Sequence, residues 1–267
     1  MRIPASLPAV CLLFSFATAR AQDAPAPEFT GDPTWASRGQ LGFSKTSGNS
    51  DTTAANFLFR AAHTVGDEWK FLMGAEGLYG ATHGETTAQA WDVHGQANYN
   101  LTPQLYWYGG LRYDDDRFSG FAYQAAVTTG IGHQFINTDD TKFTGQVGVG
   151  VRRLQPELLV KDSTGGIISS TKLDSTSDAV LDAGLNFEHS FNAATKLLAS
   201  ASVESGKDNT LTTARVSLQV KMTSVLALAA RVQMTRNSQP PAGSVSTDTL
   251  STLNLVYEMK NPKLAPE

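Results

Sequence analysis

The chain contains one cysteine in 267 residues, and that cysteine, Cys11, lies in an N-terminal segment that has the pattern of an export signal. The exported chain is therefore expected to form no internal disulfide and to offer no thiolate to a metal or a reaction. No run of roughly 18 consecutive apolar residues occurs, which excludes a membrane-spanning helix. Only 17% of the residues are charged and the balance is acidic, which disfavours nucleic acid as a partner.

The first 21 residues are predicted to be a signal peptide for Sec export. Arg2 is the single basic residue of the N-terminal region, residues 10–17 form a short hydrophobic region, and Ala19-Arg20-Ala21 is a small-x-small cleavage site. Removal of this segment takes away two of the 21 basic residues, which leaves 19 against 25 acidic residues and a formal charge of −6. Residues 22–34 are rich in proline and are predicted to be a flexible periplasmic leader.

Apolar and polar residues alternate in about a dozen segments of roughly ten residues each. In one of them, Trp69, Phe71 and Met73 share one face, whereas Lys70 and Glu76 lie on the other. A period of two is typical of β-strands. Charged side chains in the middle of a strand cannot lie in the dry core of a soluble barrel, so the polar faces are predicted to line a wet interior and the apolar faces to meet lipid.

These segments predict an all-β fold, a single closed antiparallel transmembrane β-barrel of about 12 strands over residues 35–260, with a C-terminal tail at 261–267. Short turns such as Asn100–Gln104 alternate with longer polar loops such as Ala81–Ala88 and Gln155–Ser177. Short periplasmic turns and longer extracellular loops are the arrangement of bacterial outer-membrane barrels. Aromatic residues near the short turns are predicted to form an interfacial girdle: Trp69, Phe71, Tyr99, Trp107, Phe135, Phe143, Phe187, Phe191 and Tyr257.

The inward faces combine glycines, which are predicted to leave space, with long charged side chains. Twelve strands lie between the eight of a filled barrel and the sixteen of an open channel, so the lumen is either a narrow polar pore or is closed by salt bridges. Neither a metal site nor a cofactor is predicted. The predicted pore-lining residues are Arg38, Arg60, Glu76, Asp92, His94, Arg112, Asp114, Arg152, Glu188, Arg215 and Arg231.

One constellation carries an alternative, enzymatic interpretation. Asp92 and His94 share one face of a strand, and Asp114 and Asp116 share a face of the next strand along the chain. The omptins, which are outer-membrane proteases, use facing Asp-His and Asp-Asp pairs to activate water. The competing and favoured interpretation is a hydrogen-bonded ladder inside a barrel that is not an enzyme. A soluble periplasmic barrel that binds an apolar ligand is a further alternative.

Five segments carry a resemblance to a known family: Leu41–Thr52, which contains Ser-Gly-Asn-Ser-Asp, Gly84–Thr87, Leu101–Tyr106, Leu111–Gly120, which contains Asp-Asp-Arg-Phe-Ser-Gly, and Tyr123–Ala125. They resemble the YdiY-like family, described as salt-induced outer-membrane proteins of unknown function. The resemblance covers roughly residues 35–260. It implies an outer-membrane barrel without an assigned reaction, and it supplies no catalytic residues.

The sequence as a whole predicts an integral protein of the bacterial outer membrane with a structural or narrow-pore role for small solutes. A link to salt or envelope stress is implied by the resemblance alone. The expected partners are outer-membrane lipid and lipopolysaccharide, together with the barrel-assembly machinery and periplasmic chaperones during biogenesis. The sequence does not predict an oligomeric state.

Overall fold

The structure is a computed structural model that describes residues 34–46, 52–162, 166–242 and 244–259. The predicted signal peptide (1–21), the predicted leader (22–34) apart from Thr34, and the predicted C-terminal tail (261–267) lie outside the described residues, as does Lys260. Within the described ranges, no helix is long and apolar enough to cross a membrane.

The described residues form thirteen β-strands. Their bounds are β1 Trp35–Thr46, β2 Thr52–Val65, β3 Trp69–Thr82, β4 Glu85–Asn100, β5 Leu105–Asp116, β6 Phe121–Asn137, β7 Thr141–Lys161, β8 Ile167–Lys172, β9 Thr176–Ser190, β10 Thr195–Ser205, β11 Thr210–Lys221, β12 Leu226–Asn237 and β13 Thr247–Met259.

Twelve of these strands close into an antiparallel barrel. Each strand from β1 to β6 pairs with the next one, β7 pairs with β9, and each strand from β9 to β12 again pairs with the next one. The pairing of β1 with β13, from Ser37–Met259 to Leu41–Leu255, closes the wall. The remaining strand, β8, pairs with the end of β7 outside the barrel sheet. The predicted all-β, closed, twelve-stranded fold is confirmed.

The predicted facing of the strands is also confirmed. On β1, Leu41 and Phe43 are 69% and 73% exposed on the outer wall, whereas Arg38 and Gln40 are each only 6% exposed on the inner wall. Large apolar residues are exposed in the same way on the other strands of the barrel. Because these residues follow the strand period around a closed wall, the outer surface is the continuous apolar belt that is typical of a transmembrane barrel.

Two groups of stacked aromatic rings lie at different heights on this belt. One group includes Trp69, which contacts Tyr99, and it lies near the short turns. The other is the stack of Trp91 on Tyr113 and of Tyr113 on Tyr123, near the opposite ends of the strands. Trp91 and Tyr99 stand eight positions apart on β4, which corresponds to about 27 Å along the strand. With a strand tilt of about 40°, the two aromatic groups are separated by roughly 20 Å in height, similar to the apolar band of outer-membrane barrels.

The five tight turns at one end of the barrel, residues 66–68, 101–104, 138–140, 191–194 and 222–225, define the turn end. Four of them use one device, in which a side-chain oxygen accepts backbone N–H groups two or three residues later. Thr102 Oγ1 accepts the N–H of Leu105 at 2.9 Å, and Asn192 Oδ1 accepts the N–H of Thr195 at 2.9 Å. Thr138 and Thr223 repeat this contact. Such local bonds favour a tight turn over continued strand.

The opposite end, the loop end, contains more strand than the sequence predicted. The predicted loop Ala81–Ala88 is a two-residue turn in which His83 and Gly84 have φ angles of 52° and 84°. Two positive φ angles match the twist of the flanking strands, which lets β3 and β4 pair almost to their tips. Much of the predicted loop Gln155–Ser177 is likewise a hairpin, formed by the end of β7 and by β8.

The β7–β8 hairpin runs along the loop end rather than away from it. The N–H of Glu157 donates to the carbonyl of Gly120 in the β5–β6 loop at 2.8 Å. Gly166, near the tip of the hairpin, is buried, and a Cβ at that position would lie 3.2 Å from Oε2 of Glu85. The hairpin therefore passes the β5–β6 loop and reaches the first residue of β4.

Candidate functional site

The lumen of the barrel holds the densest group of charged side chains in the described part of the chain. At its centre, the Glu76 carboxylate on β3 contacts three guanidinium groups. Its Oε2 accepts from Arg231 Nη2 at 2.8 Å, its Oε1 pairs with Arg60 Nη2, and Arg215 Nη2 lies 3.9 Å away. We call Arg60, Arg215 and Arg231 the arginine layer. Gln233 supplies one more acceptor, since its Oε1 accepts from Arg215 Nε at 2.8 Å and also from Arg231.

Two of the three contacts, those of Glu76 with Arg215 and Arg231, cross the lumen, whereas Arg60 lies on β2, the strand next to β3. Glu76 lies on β3 and Arg231 on β12, and three strands, β2, β1 and β13, separate β3 from β12 in the sheet. The side chains must therefore meet in the interior. Because the contacts of Glu76 with Arg231 and Arg215 span four and five strand positions of the wall, they narrow the lumen at this height.

A second network lies closer to the loop end. Arg112 on β5 pairs with Asp114 and also donates to Glu204 on β10 at 3.1 Å. Arg152 on β7 is completely buried, and it donates to Glu204 Oε1 at 3.1 Å and to the carbonyl of Asn209 at 2.9 Å. Arg152 therefore acts as a fixed part of the wall that supports Glu204.

The proposed hydrolase constellation is only partly assembled. His94 Nδ1 lies 3.2 Å from Asp92 Oδ1, as a catalytic dyad would require. Asp114, directly opposite Asp92 in the β4–β5 pairing, is held in its ion pair with Arg112. Asp116 accepts the backbone N–H of Phe118 at 2.9 Å in the β5–β6 turn. In the described residues, no group of three or more His, Cys, Asp or Glu side chains is arranged to hold a metal ion.

A third polar group lies near the turn end. Arg38 Nε is 3.8 Å from Glu258, and Gln219 Nε2 donates to the same carboxylate at 2.6 Å. On the other side of the lumen, Lys196 pairs with Glu188. The predicted interior positions of Arg38 and Glu188 thus coincide with buried ion pairs.

Two cavities lie in the lumen. The loop-end chamber measures about 760 Å³ and is bordered by residues up to Val245 and Asp248. The turn-end chamber measures about 250 Å³ and is bordered by Arg38, Lys142 and Glu188. The two chambers share seven lining residues: Arg60, His94, Gln96, Asn186, Ser200, Arg215 and Arg231. The arginine layer is therefore part of the wall between them.

Of the predicted pore-lining residues, ten border a chamber and Arg152 does not. Those that border the loop-end chamber are Arg60, Glu76, Asp92, His94, Arg112, Asp114, Arg215 and Arg231. Those that border the turn-end chamber are Arg38, Arg60, His94, Glu188, Arg215 and Arg231.

The mouth of the loop-end chamber is narrowed by the described residues of the β12–β13 loop, 238–242 and 244–246. This loop lies diametrically opposite the β5–β6 loop in the order of the twelve strands, yet the two loops touch. A Cβ at Gly120 would lie 2.6 Å from Ser244 Oγ and 3.0 Å from Pro241 Cβ. Gly120 has a φ of 83°, which also favours glycine there. The β12–β13 loop therefore extends across the mouth.

The prediction that inward glycines leave open space is wrong at several positions. The ring of Tyr106 lies where a Cβ of Gly132 would be, and the Tyr108 hydroxyl lies where a Cβ of Gly148 would be. Tyr108 is fully buried and donates to Asp182 at 2.7 Å. These glycines thus accommodate large side chains, from the neighbouring strand at Gly132 and from the next strand but one at Gly148, which fill part of the lumen.

Several residues of these networks were not among the predicted set, notably Glu204, Gln233, Gln219 and Asp182. Gln219, Gln233 and Asp182 have the same strand parity as the predicted charges, so the alternation marks them as inward. Their partners could not be read from the sequence, because the pairings depend on which strands face each other across the lumen.

The comparisons with known proteins agree with the motifs found in the sequence. A family model described as "Protein of unknown function, DUF481" matches residues 39–259. The uncharacterized protein YdiY of Escherichia coli (strain K12) is 26% identical over 222 residues, which cover 83% of this chain and 81% of that protein.

Solved structures that resemble this barrel share little sequence with it. An outer membrane channel from Pseudomonas putida F1 aligns with a TM-score of 0.47 and 11% identity, over 89% of this chain and 100% of that one. The β domain of the Bordetella autotransporter BrkA aligns with a TM-score of 0.41 and 13% identity, over 84% and 98% of the two chains.

Proposed function

The chain belongs to the DUF481 family of proteins of unknown function, and we propose that this member is an integral barrel of the bacterial outer membrane through which small polar solutes pass. The observation that carries the proposal is the pair of chambers, about 760 Å³ and 250 Å³, which meet at the arginine layer. Two stacked chambers with charged lining residues inside a closed wall form an interrupted path along the barrel.

The apolar belt supports the proposed location. Its exposed residues include Trp107, Val149 and Leu228, which would be costly to leave in water but match a lipid environment. The turn end would face the periplasm and the loop end the exterior. Export through the Sec signal at residues 1–21, insertion by the assembly machinery with its chaperones, and contact with lipopolysaccharide are parts of the same proposal.

The lining of the chambers supports a polar solute rather than an apolar ligand. Charged and amide side chains border both chambers, and the ion pairs of Glu76 keep the passage narrow. A solute must exchange part of its hydration shell for contacts with these groups. The proposed role is therefore non-enzymatic passage, and the link to salt or envelope stress stays a prediction from the resemblance.

The contact between opposite loops provides a specific test of passage. Replacement of residues 238–245 by an Asn-Gly turn would join Asn237 to Ser246, whose backbones are already paired by an N–H to carbonyl bond of 2.8 Å. This change removes the loop from the mouth without altering the wall. In planar bilayers, we expect small unitary currents from the unaltered protein and currents at least about twofold larger from the shortened variant.

The matched control keeps the loop length and replaces only the exposed Gln239 by Ser, which should leave the conductance unchanged. If neither the unaltered nor the shortened barrel carries unitary current after verified insertion, passage of solutes is not its role and only the structural interpretation remains.

A further inference from the structure

We propose that the arginine layer is a binding and selection site for small oxyanions, such as solutes with a carboxylate, phosphate or sulfate group. This inference rests on the proposed passage of solutes and names the class that the passage favours. It starts from the charges that meet at one height of the lumen, where Arg60, Arg215 and Arg231 share the single carboxylate of Glu76.

The three guanidinium groups carry two positive charges more than Glu76 neutralises, and Asp92 is a further electrostatic partner of Arg215. They also have more donors than the surrounding acceptors can satisfy, because each guanidinium has five N–H groups. Among the described residues, the acceptors that they meet are the two oxygens of Glu76, Gln233 Oε1 and the carbonyl of Phe59. The buried Nε of Arg231, whose side chain is only 10% exposed, has no acceptor within the described chain.

The layer is also accessible from both sides. Each of its three arginines borders both chambers. Arg215 is the most open, with 35% of its side chain exposed, and its contact with Glu76 is the longest of the three at 3.9 Å. A planar guanidinium that is fixed by one neighbour and open on another edge is suited to bind an oxyanion through two parallel hydrogen bonds.

The charges around the two chambers give the site a direction of approach. The turn-end chamber is bordered by Arg38 and Lys142 against Glu188, and with the paired neighbours Lys196 and Glu258 included it keeps one positive charge in excess. The loop-end chamber is acidic. Besides the arginine layer and Glu76, seven carboxylate residues and a single arginine, Arg112, border it. The electrostatic potential in the lumen therefore changes sign along the barrel axis, from negative in the loop-end chamber to positive in the turn-end chamber. The arginine layer lies near the boundary between the two chambers.

Such a lumen has two measurable properties. The positive constriction should make chloride more permeable than potassium, because the narrowest charged region dominates selectivity. The opposed charges of the chambers should also rectify the current. Ions of both signs accumulate in the lumen when the loop end is positive and are depleted when it is negative, so the current should be larger with the loop end positive.

The test uses the full-length exported barrel in planar bilayers with a gradient of potassium chloride. We expect the sign of the reversal potential to show that chloride is more permeable than potassium. We expect Arg215→Gln to lower the chloride-to-potassium permeability ratio at least about twofold. Inorganic phosphate on the turn-end side should reduce the chloride current of the unaltered barrel and have a weaker effect on the variant. Arg236→Gln, which removes an equal charge from an exposed position on β12, is the matched control and should change neither quantity.

The outcomes separate the inference from the function on which it rests. A barrel that conducts but prefers cations, or one whose selectivity and phosphate sensitivity are the same with and without Arg215, overturns the anion site and leaves the passage intact. A barrel that carries no current removes both. Circular dichroism and resistance to detergent at room temperature should confirm that Arg215→Gln still folds.

Discussion

An arginine in place of Val149 is expected to cost about 2–4 kcal/mol of folding free energy in a lipid bilayer, because it places a charge near the middle of the apolar belt. Val149 is 56% exposed on the outer face of β7. It lies between Phe143, which contacts Phe135 near the turn end, and Gln155, which is paired with Tyr123 near the loop end. The arginine side chain cannot easily reach water from this depth.

This cost can be measured by urea unfolding of the barrel in lipid vesicles, followed by tryptophan fluorescence and by the shift in electrophoretic mobility on heating. The matched control is Ser170→Arg, on the exposed β8 strand outside the barrel, and it should cost less than about 0.5 kcal/mol. Equal and small costs at both positions would mean that Val149 does not face lipid.

Removal of the charge of Glu76 is expected to destabilise the barrel by about 3 kcal/mol, although the substitution Glu76→Gln hardly changes the volume. The reason is that Arg60, Arg215 and Arg231 then meet without a counter-charge in a lumen where the Glu76 side chain is only 15% exposed. Loss of one partner of a buried ion pair costs more than the pair itself contributes, because the remaining charges stay buried.

The control for this variant is Glu68→Gln, which removes the same charge at an exposed position of the β2–β3 turn and should leave the stability nearly unchanged. A double variant, Glu76→Gln with Arg231→Gln, should be more stable than Glu76→Gln alone, because it removes one of the positive charges that Glu76→Gln leaves unneutralised. If Glu76→Gln unfolds at the same urea concentration as the unaltered protein, the carboxylate does not hold the arginine layer together.

The strands, and the side of the wall that each side chain faces, could be predicted because both depend on the alternation of apolar and polar residues within a single strand. A period of two, repeated about a dozen times, places Trp107 outside and Arg112 inside whatever the neighbouring strands are. The short turns were predictable for a similar reason. Thr102 and Asn192 act within two or three residues of their own positions, so the residue types alone indicate the turn.

The interior contacts could not be predicted, because they depend on closure of the sheet. That Glu76 meets Arg231, 155 positions away, follows from the stagger of the strands and from the crossing of the lumen, neither of which a single strand encodes. The filling of the space at Gly132 and Gly148 by tyrosine rings has the same origin. A glycine on an inner face indicates close approach, but only the assembled sheet shows which side chain approaches it.

The loop end was harder to predict than the turn end for a different reason. Polar sequence is typical both of loops and of hairpins that stand clear of the membrane, where both faces of a strand meet water. The residue types of the segment Gln155–Ser177 therefore predict a loop, although within this segment the end of β7 pairs with β8. The crossing of the mouth from Ser244 to Gly120 is a contact between two loops with no signal in either.

Quenching by brominated lipid tests the central claim most directly. The exported chain is expected to contain no cysteine, so single cysteines can be placed at Val149 and Leu228 on the outer face, and at Ser200 and Thr213, which line the loop-end chamber, and labelled with a small fluorophore. The account predicts strong quenching by brominated acyl chains at the first two positions and little at the other two, which a water-soluble quencher should reach instead. Lipid quenching at Ser200 and Thr213, with none at Val149 and Leu228, would contradict it.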